Sequence, residues 1–150
     1  MESYEKKNDI IGDGTLNCTQ KIVGSFCAAQ GIPLAEGLRM ARPLGGGLRA
    51  GEACGALVGG LLVSGFKYGT SQEDPPEARA VCDEKAAELT RRFMELHGEI
   101  TCRALLGIDT SVGDNRRMAA EMGLFRDVCP NIVVKTIELL EELGYGDGKK

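Results

Sequence analysis

Along most of the chain the apolar residues fall at helical spacing rather than in alternation. In NCTQKIVGSFCAAQG (17–31), Ile22, Val23, Phe26 and Cys27 recur on one side of a 3.6-residue period, and Gly31 stops the run. Asn17 with Gln20 three positions on has the form of a capping box, which predicts a helix start there. A short helix is predicted over 33–42, with Pro33 at its first position, where a missing N–H costs nothing. A third runs from about Cys54 to Lys67, after a glycine-rich loop over 43–53 and before the polar break GTSQEDPP. The longest amphipathic pattern spans 77–98, with Val81, Ala86, Leu89, Phe93 and Leu96 near one face and Gly98 as its end. Shorter helices are predicted over 101–107 and 115–123, and a final one over 130–144 between Pro130 and Gly144. No segment alternates convincingly and none repeats. The expectation is an all-α, single-domain bundle of about six or seven helices. Residues 1–14 read as a flexible N-terminal arm, 15–144 as the helical domain and 145–150 as a C-terminal tail.

Composition narrows the function. Apolar residues make up 43% of the 150 positions, enough for a core, but aromatics are 5% and Trp is absent. That core must be built from Leu, Val, Ile, Ala and Met; Met40, Met94, Met118 and Met122 are expected to fill gaps in it or a helix–helix interface. The formal net charge is -4, and no basic stripe is interleaved with aromatics, so nucleic acid is not an expected partner. The apolar stretch from Ala53 to Phe66 is shorter than the ~20 residues of a membrane span, and the polar N-terminus has no apolar signal region. The expectation is therefore a cytoplasmic protein, not membrane-embedded. The small-residue helix beginning at Cys54 suits a homodimer and burial within one chain equally. Six cysteines in a reducing compartment argue against a disulfide scaffold and for metal or redox chemistry.

The cysteines divide by position. Cys18, Cys54, Cys102 and Cys129 each fall at or beside a predicted helix start, where unpaired backbone N–H groups and the helix dipole favour a thiolate. Cys27 and Cys82 lie inside helices, where a free cysteine behaves as a small hydrophobe. Gly51, Gly55 and Gly59 recur every four residues, with Gly60 and Ser64 as a second small track. Each helical glycine costs about 1 kcal/mol against alanine, so a close neighbour, either a helix or a bulky inorganic group, is expected there. Gly45–Gly47 lacks the Gly-Lys-Ser/Thr ending of a phosphate loop, although a glycine-rich loop feeding a helix can still cradle an anion. The single histidine, His97, stands at a helix C-terminus, where a surface or capping role is expected, and the acidic residues read as solvated faces. No hydrolytic or transferase site is evident. Arg49 and Arg103 are near Cys54 and Cys102 in sequence, where they could steer an anionic partner or stabilise a thiolate; ordinary surface charge explains them as well.

These residues resemble a known family. Asn17-Cys18, the run GGGLRAGEACGALVGGLLVSGFKYG (45–69) with its CGAxxG core at Cys54–Gly59, CRALLG at Cys102–Gly107, and Cys129 together resemble the CGAxxG-motif four-cysteine redox-active proteins of anaerobic bacteria and archaea. That family is similar to the iron–sulfur domain of split-Soret cytochromes, where such cysteines hold a [2Fe–2S] cluster. The resemblance implies Cys18, Cys54, Cys102 and Cys129 as cofactor-binding and metal-ligating residues here. The c-type haem motif Cys-x-x-Cys-His is missing, so no haem function is carried over.

Four thiolates can hold an iron–sulfur cluster or zinc. The separations of 36, 48 and 27 residues (54 less 18, 102 less 54, 129 less 102) are unlike the short hairpins of structural zinc sites and unlike ferredoxin runs. Three functions are therefore open. One is electron transfer or redox sensing through an iron–sulfur cluster, with [2Fe–2S] favoured and a redox protein as partner. Another is metal-free thiol–disulfide chemistry, and the last a structural zinc module. N–H groups at the helix starts are expected to raise a cluster's potential.

Overall fold

The computed structural model describes the backbone of residues 2–147 and the side chains of residues 7–146. All seven segments expected to be helical are helical. In chain order the helices are α1 (Glu2–Gly12), α2 (Cys18–Gln30), α3 (Leu34–Ala41), α4 (Gly55–Tyr68), α5 (Pro76–His97), α6 (Cys102–Leu106), α7 (Asn115–Glu121), α8 (Leu124–Asp127) and α9 (Cys129–Glu142). The architecture is all-α. The expected capping box opens α2: the Asn17 side chain accepts from the Gln20 N–H at 3.0 Å, and the Gln20 side chain accepts from the Asn17 N–H at 3.1 Å. Gly31, at φ 69, closes the same helix in the left-handed region.

Helix α4 lies at the centre because it has no polar face. Its residues Ala56, Leu57, Gly59, Gly60, Val63 and Ser64 are all buried. Its first glycine track faces α2, where a Cβ on Gly59 would meet Ile22 Cβ at 2.8 Å and the Thr19 carbonyl oxygen at 3.0 Å. The second faces α5 and α9, since a Cβ on Gly60 would lie 3.2 Å from Leu89 Cδ2. Close helix packing thus accounts for Gly59 and Gly60. Around α4 the main core gathers Ile22 and Phe26 from α2, Leu89 and Phe93 from α5, and Val133, Ile137 and Leu140 from α9. Each such side chain contributes about 1.5–3 kcal/mol when fully buried. Cys27 joins a second cluster with Val23 and Ala41, as a small hydrophobe.

Several expectations need correction. The segment read as an arm contains α1, which docks through Ile10 against Gly24 and pairs Lys7 with Glu141 at 2.9 Å; with little besides Ile10 and Ile11 to bury, it has almost no periodic signature. The expected tail begins with a buried residue. Tyr145 is 1% exposed, its hydroxyl lies 2.9 Å from Ser64 Oγ, and its carbonyl accepts from Gln30 Nε2 at 2.6 Å; residues 148–150 lie outside the described residues. Third, the apolar face of α5 is only partly covered: Leu89 and Phe93 are buried, whereas Val81 and Leu96 are exposed. The four methionines named above are exposed too and fill no core gap. Fourth, His97 is no surface cap; it packs on Phe93, with ring centroids 4.4 Å apart, and reaches Thr136 Oγ1 at 3.3 Å.

The glycine-rich loop has a shape of its own. Gly46, Gly47, Leu48 and Arg49 all have φ between 61 and 65, a left-handed turn closed by the Glu52 N–H donating to the Gly47 carbonyl at 2.8 Å. Leu48 and Arg49 each adopt that conformation at a cost of about 1–2 kcal/mol. Gly47 must be glycine, because a Cβ there would stand 2.6 Å from the Glu52 nitrogen and 2.8 Å from Cys102 Cβ.

Candidate functional site

Four elements bring the four cysteines to one cavity. Cys18 is the first residue of α2, fixed by the Asn17 cap just before it. Cys54 is the cap residue of α4, Cys102 the first residue of α6 after the Thr101 cap, and Cys129 the first residue of α9, followed by Pro130. The helix-start placement inferred from the sequence therefore holds for each. All four line a single cavity of about 350 Å³, together with Lys21, Arg116 and an apolar side that includes Leu106 and Phe125. Cys27 and Cys82 do not line it.

Two local devices set the arrangement. Ala53 and Thr101 form an isolated antiparallel bridge, in which the Cys54 N–H donates to the Ile100 carbonyl at 2.7 Å and the Cys102 N–H to the Glu52 carbonyl at 2.6 Å. This pair of bonds holds Cys54 and Cys102 side by side, although 48 residues separate them. Arg103 pairs with Glu52 at 2.6 Å in an exposed ion pair, in keeping with ordinary surface charge. The second device is Gly55. A Cβ there would meet Thr19 Oγ1 at 2.8 Å and Cys18 Cβ at 3.2 Å, so the glycine lets the start of α2 approach the start of α4. Thr19 Oγ1 is buried at that contact with no hydrogen-bond partner among the described residues.

The electrostatics depart from the helix-start expectation. Burial pushes the Cys54 thiol up to about 11, against the opposing pull of the Ala56 and Leu57 N–H groups. Burial likewise pushes Cys102 up to about 11, with Cys54 and Cys18 adding to the rise and Arg116 opposing it. Cys18 and Cys129 act as a pair: hydrogen bonding with Cys129, ahead of burial, holds the Cys18 thiol far above its ordinary range, and the same interaction lowers Cys129. At Cys54 and Cys102 desolvation and mutual repulsion outweigh the helix starts, because would-be anions share one small space. Only at Cys54 do N–H groups of the following turn act visibly on the sulfur.

The donor set is four cysteines, chemically suited to iron or zinc. Among the described residues, no three His, Cys, Asp or Glu side chains are close enough to hold a single metal ion. Lys21 and Arg116, both cavity-lining cations, had no signal in the sequence, because neither belongs to a motif and only the fold carries them there. No described helix is long and apolar enough to cross a membrane.

No curated protein and no solved structure matches the chain. A family model does, over residues 16–143. The chain thus belongs to the family described as "Putative redox-active protein (C_GCAxxG_C_C)".

Proposed function

We propose that Cys18, Cys54, Cys102 and Cys129 hold an iron–sulfur cluster, with [2Fe–2S] favoured, and that the protein transfers electrons or senses redox state through it. The observation that carries this reading is the shared cavity: four thiols from four separate elements line it, and the other two cysteines do not. Their grouping suits a two-iron centre, which takes two thiolates on each iron. Cys54 and Cys102 are paired by the bridge, and Cys18 and Cys129 by their contact. When bound, such a cluster would supply one-electron chemistry. The chain's part is to provide the thiolates, to exclude water with Leu106 and Phe125, and to set Lys21 and Arg116 beside the negative charge.

Anoxic reconstitution with iron and sulfide tests this reading. A visible absorption band with two irons and two sulfides per chain is expected, lost in C18S, C54S, C102S or C129S and kept in C27S and C82S. A colourless protein holding one zinc through the same cysteines would replace the reading with a structural zinc site.

The contact between Cys18 and Cys129 favours a second reading, a reversible disulfide. Two thiols would give up two protons and two electrons to an oxidant of the disulfide class, forming one S–S bond. Metal-free protein that loses two free thiols on mild oxidation, in the wild type and not in C129S, would support it.

A further inference from the structure

Beside the cysteine cavity lies a second pocket, of about 230 Å³, into which Arg42, Arg49 and Arg116 converge with Asn17, Thr110 and Ser111. Asn17, Gly46, Thr110 and Arg116 line both spaces. We propose that this pocket binds a small, doubly charged oxyanion of the phosphate or sulfate type. The three arginines come from the end of α3, the left-handed turn and the start of α7, so no single surface stripe explains their meeting. Among the described residues none of the three pairs with a carboxylate, whereas Arg91, Arg92, Arg103, Arg117 and Arg126 all do. The nearby Asp109 carboxylate is occupied by the Ser111 N–H at 2.9 Å and the Ser111 hydroxyl at 2.5 Å.

Two of the guanidinium groups are held in place by the backbone. Arg42 Nη1 donates to the Thr15 carbonyl at 3.0 Å and to Gln20 Oε1 at 3.2 Å, and Arg49 Nη2 donates to the Arg42 carbonyl at 3.1 Å. Arg116 rests over the Phe125 ring at 5.2 Å. A guanidinium has five donors, so each keeps several for a ligand. Three guanidinium groups without a direct carboxylate partner around one concavity repel each other and attract a counter-ion, and planar guanidinium forks match the oxygens of an oxyanion. Arg49 sits in the strained left-handed region, at φ 62, and such strain clusters at ligand clamps. The concave shape favours a small anion over the flat acidic face of a protein. The proposal does not depend on a cluster at the cysteines.

The test is titration of the full-length, metal-free chain with inorganic phosphate and with sulfate, followed by calorimetry and thermal shift at constant ionic strength. Saturable binding of either probe is expected. R116Q and R49Q should weaken it about tenfold or more, the loss of a charge-assisted hydrogen bond, while R117Q, whose side chain is ion-paired outside the pocket, leaves it unchanged. Circular dichroism checks that each variant folds; if R49Q unfolds, R116Q alone decides. Binding that matches an equal ionic strength of chloride, or that survives R116Q, overturns the proposal. So does binding of an acidic polypeptide such as polyglutamate with none of phosphate or sulfate.

Discussion

The thiols at positions 54 and 102 favour their protonated forms in the fold, because burial holds both near 11 against an ordinary 9.0. A group raised in this way contributes stability that is complete below the unfolded value and is lost as pH climbs through the folded one. The thermal midpoint of the metal-free chain is therefore expected to fall between pH 9 and 11. Scanning calorimetry across that window checks this, with a smaller fall expected in the C54A/C102A double variant. Binding of a metal centre must displace those protons, so loading releases acid and strengthens as pH rises. Lys21 beside the cavity favours the more negative, reduced form of a bound cluster. K21Q should lower the midpoint potential in an anoxic titration, and an unchanged potential would remove Lys21 from that role. At this scale the four cysteines that line the shared cavity were marked in the sequence, because caps and glycines signal helix starts locally. It misjudged the ionisation of Cys18, Cys54 and Cys102, whose thiols are raised, because burial and mutual repulsion depend on neighbours 27 to 111 residues away in sequence.

Among the elements, α4 carries the clearest contrast. Gly59→Ala gains about 1 kcal/mol of helix propensity but drives a Cβ to within 3.0 Å of both Ile22 and the Thr19 backbone. Overpacking of that kind costs about 1–3 kcal/mol, and backbone cannot swing aside, so a net loss of stability is expected. Gly65→Ala meets nothing within 4 Å and keeps a helical backbone, so it should stabilise by about 0.5–1 kcal/mol. Urea denaturation of the two variants checks the pair of opposite signs. α1 and α8 carry no such signal, but the positions of α2 to α7 and of α9 were legible from the sequence because periodicity, Asn17, Thr101, Gly31 and Gly98 are local signals. Two features were not. The Ala53–Thr101 bridge is too short to alternate, and the left-handed turn continues past its glycines through Leu48 and Arg49, residues that ordinarily avoid that region.

Across the whole molecule, Tyr145 brings the segment after α9 into the core. Tyr145 lies against Ser64 and edge-on to Tyr68 at 5.9 Å, and the buried Lys67 donates to the Gly144 carbonyl at 2.7 Å. Tyr145→Ala should cost about 3–5 kcal/mol, as for other large core aromatics, measured by the same urea method. The all-α class was legible because no segment alternates. The docking of Tyr145 was not, because GYGDGKK carries the composition of a frayed end. The meeting of Arg42, Arg49 and Arg116 was equally invisible, being a product of how α3, the turn and α7 come together.

The most direct test is iron and acid-labile sulfide analysis, with a visible spectrum, on protein reconstituted without oxygen. Two irons and two sulfides per chain, abolished by serine at position 18, 54, 102 or 129 and untouched by serine at 27 or 82, is the predicted result. A colourless chain, or one whose bound iron survives loss of any of those four cysteines, would contradict it.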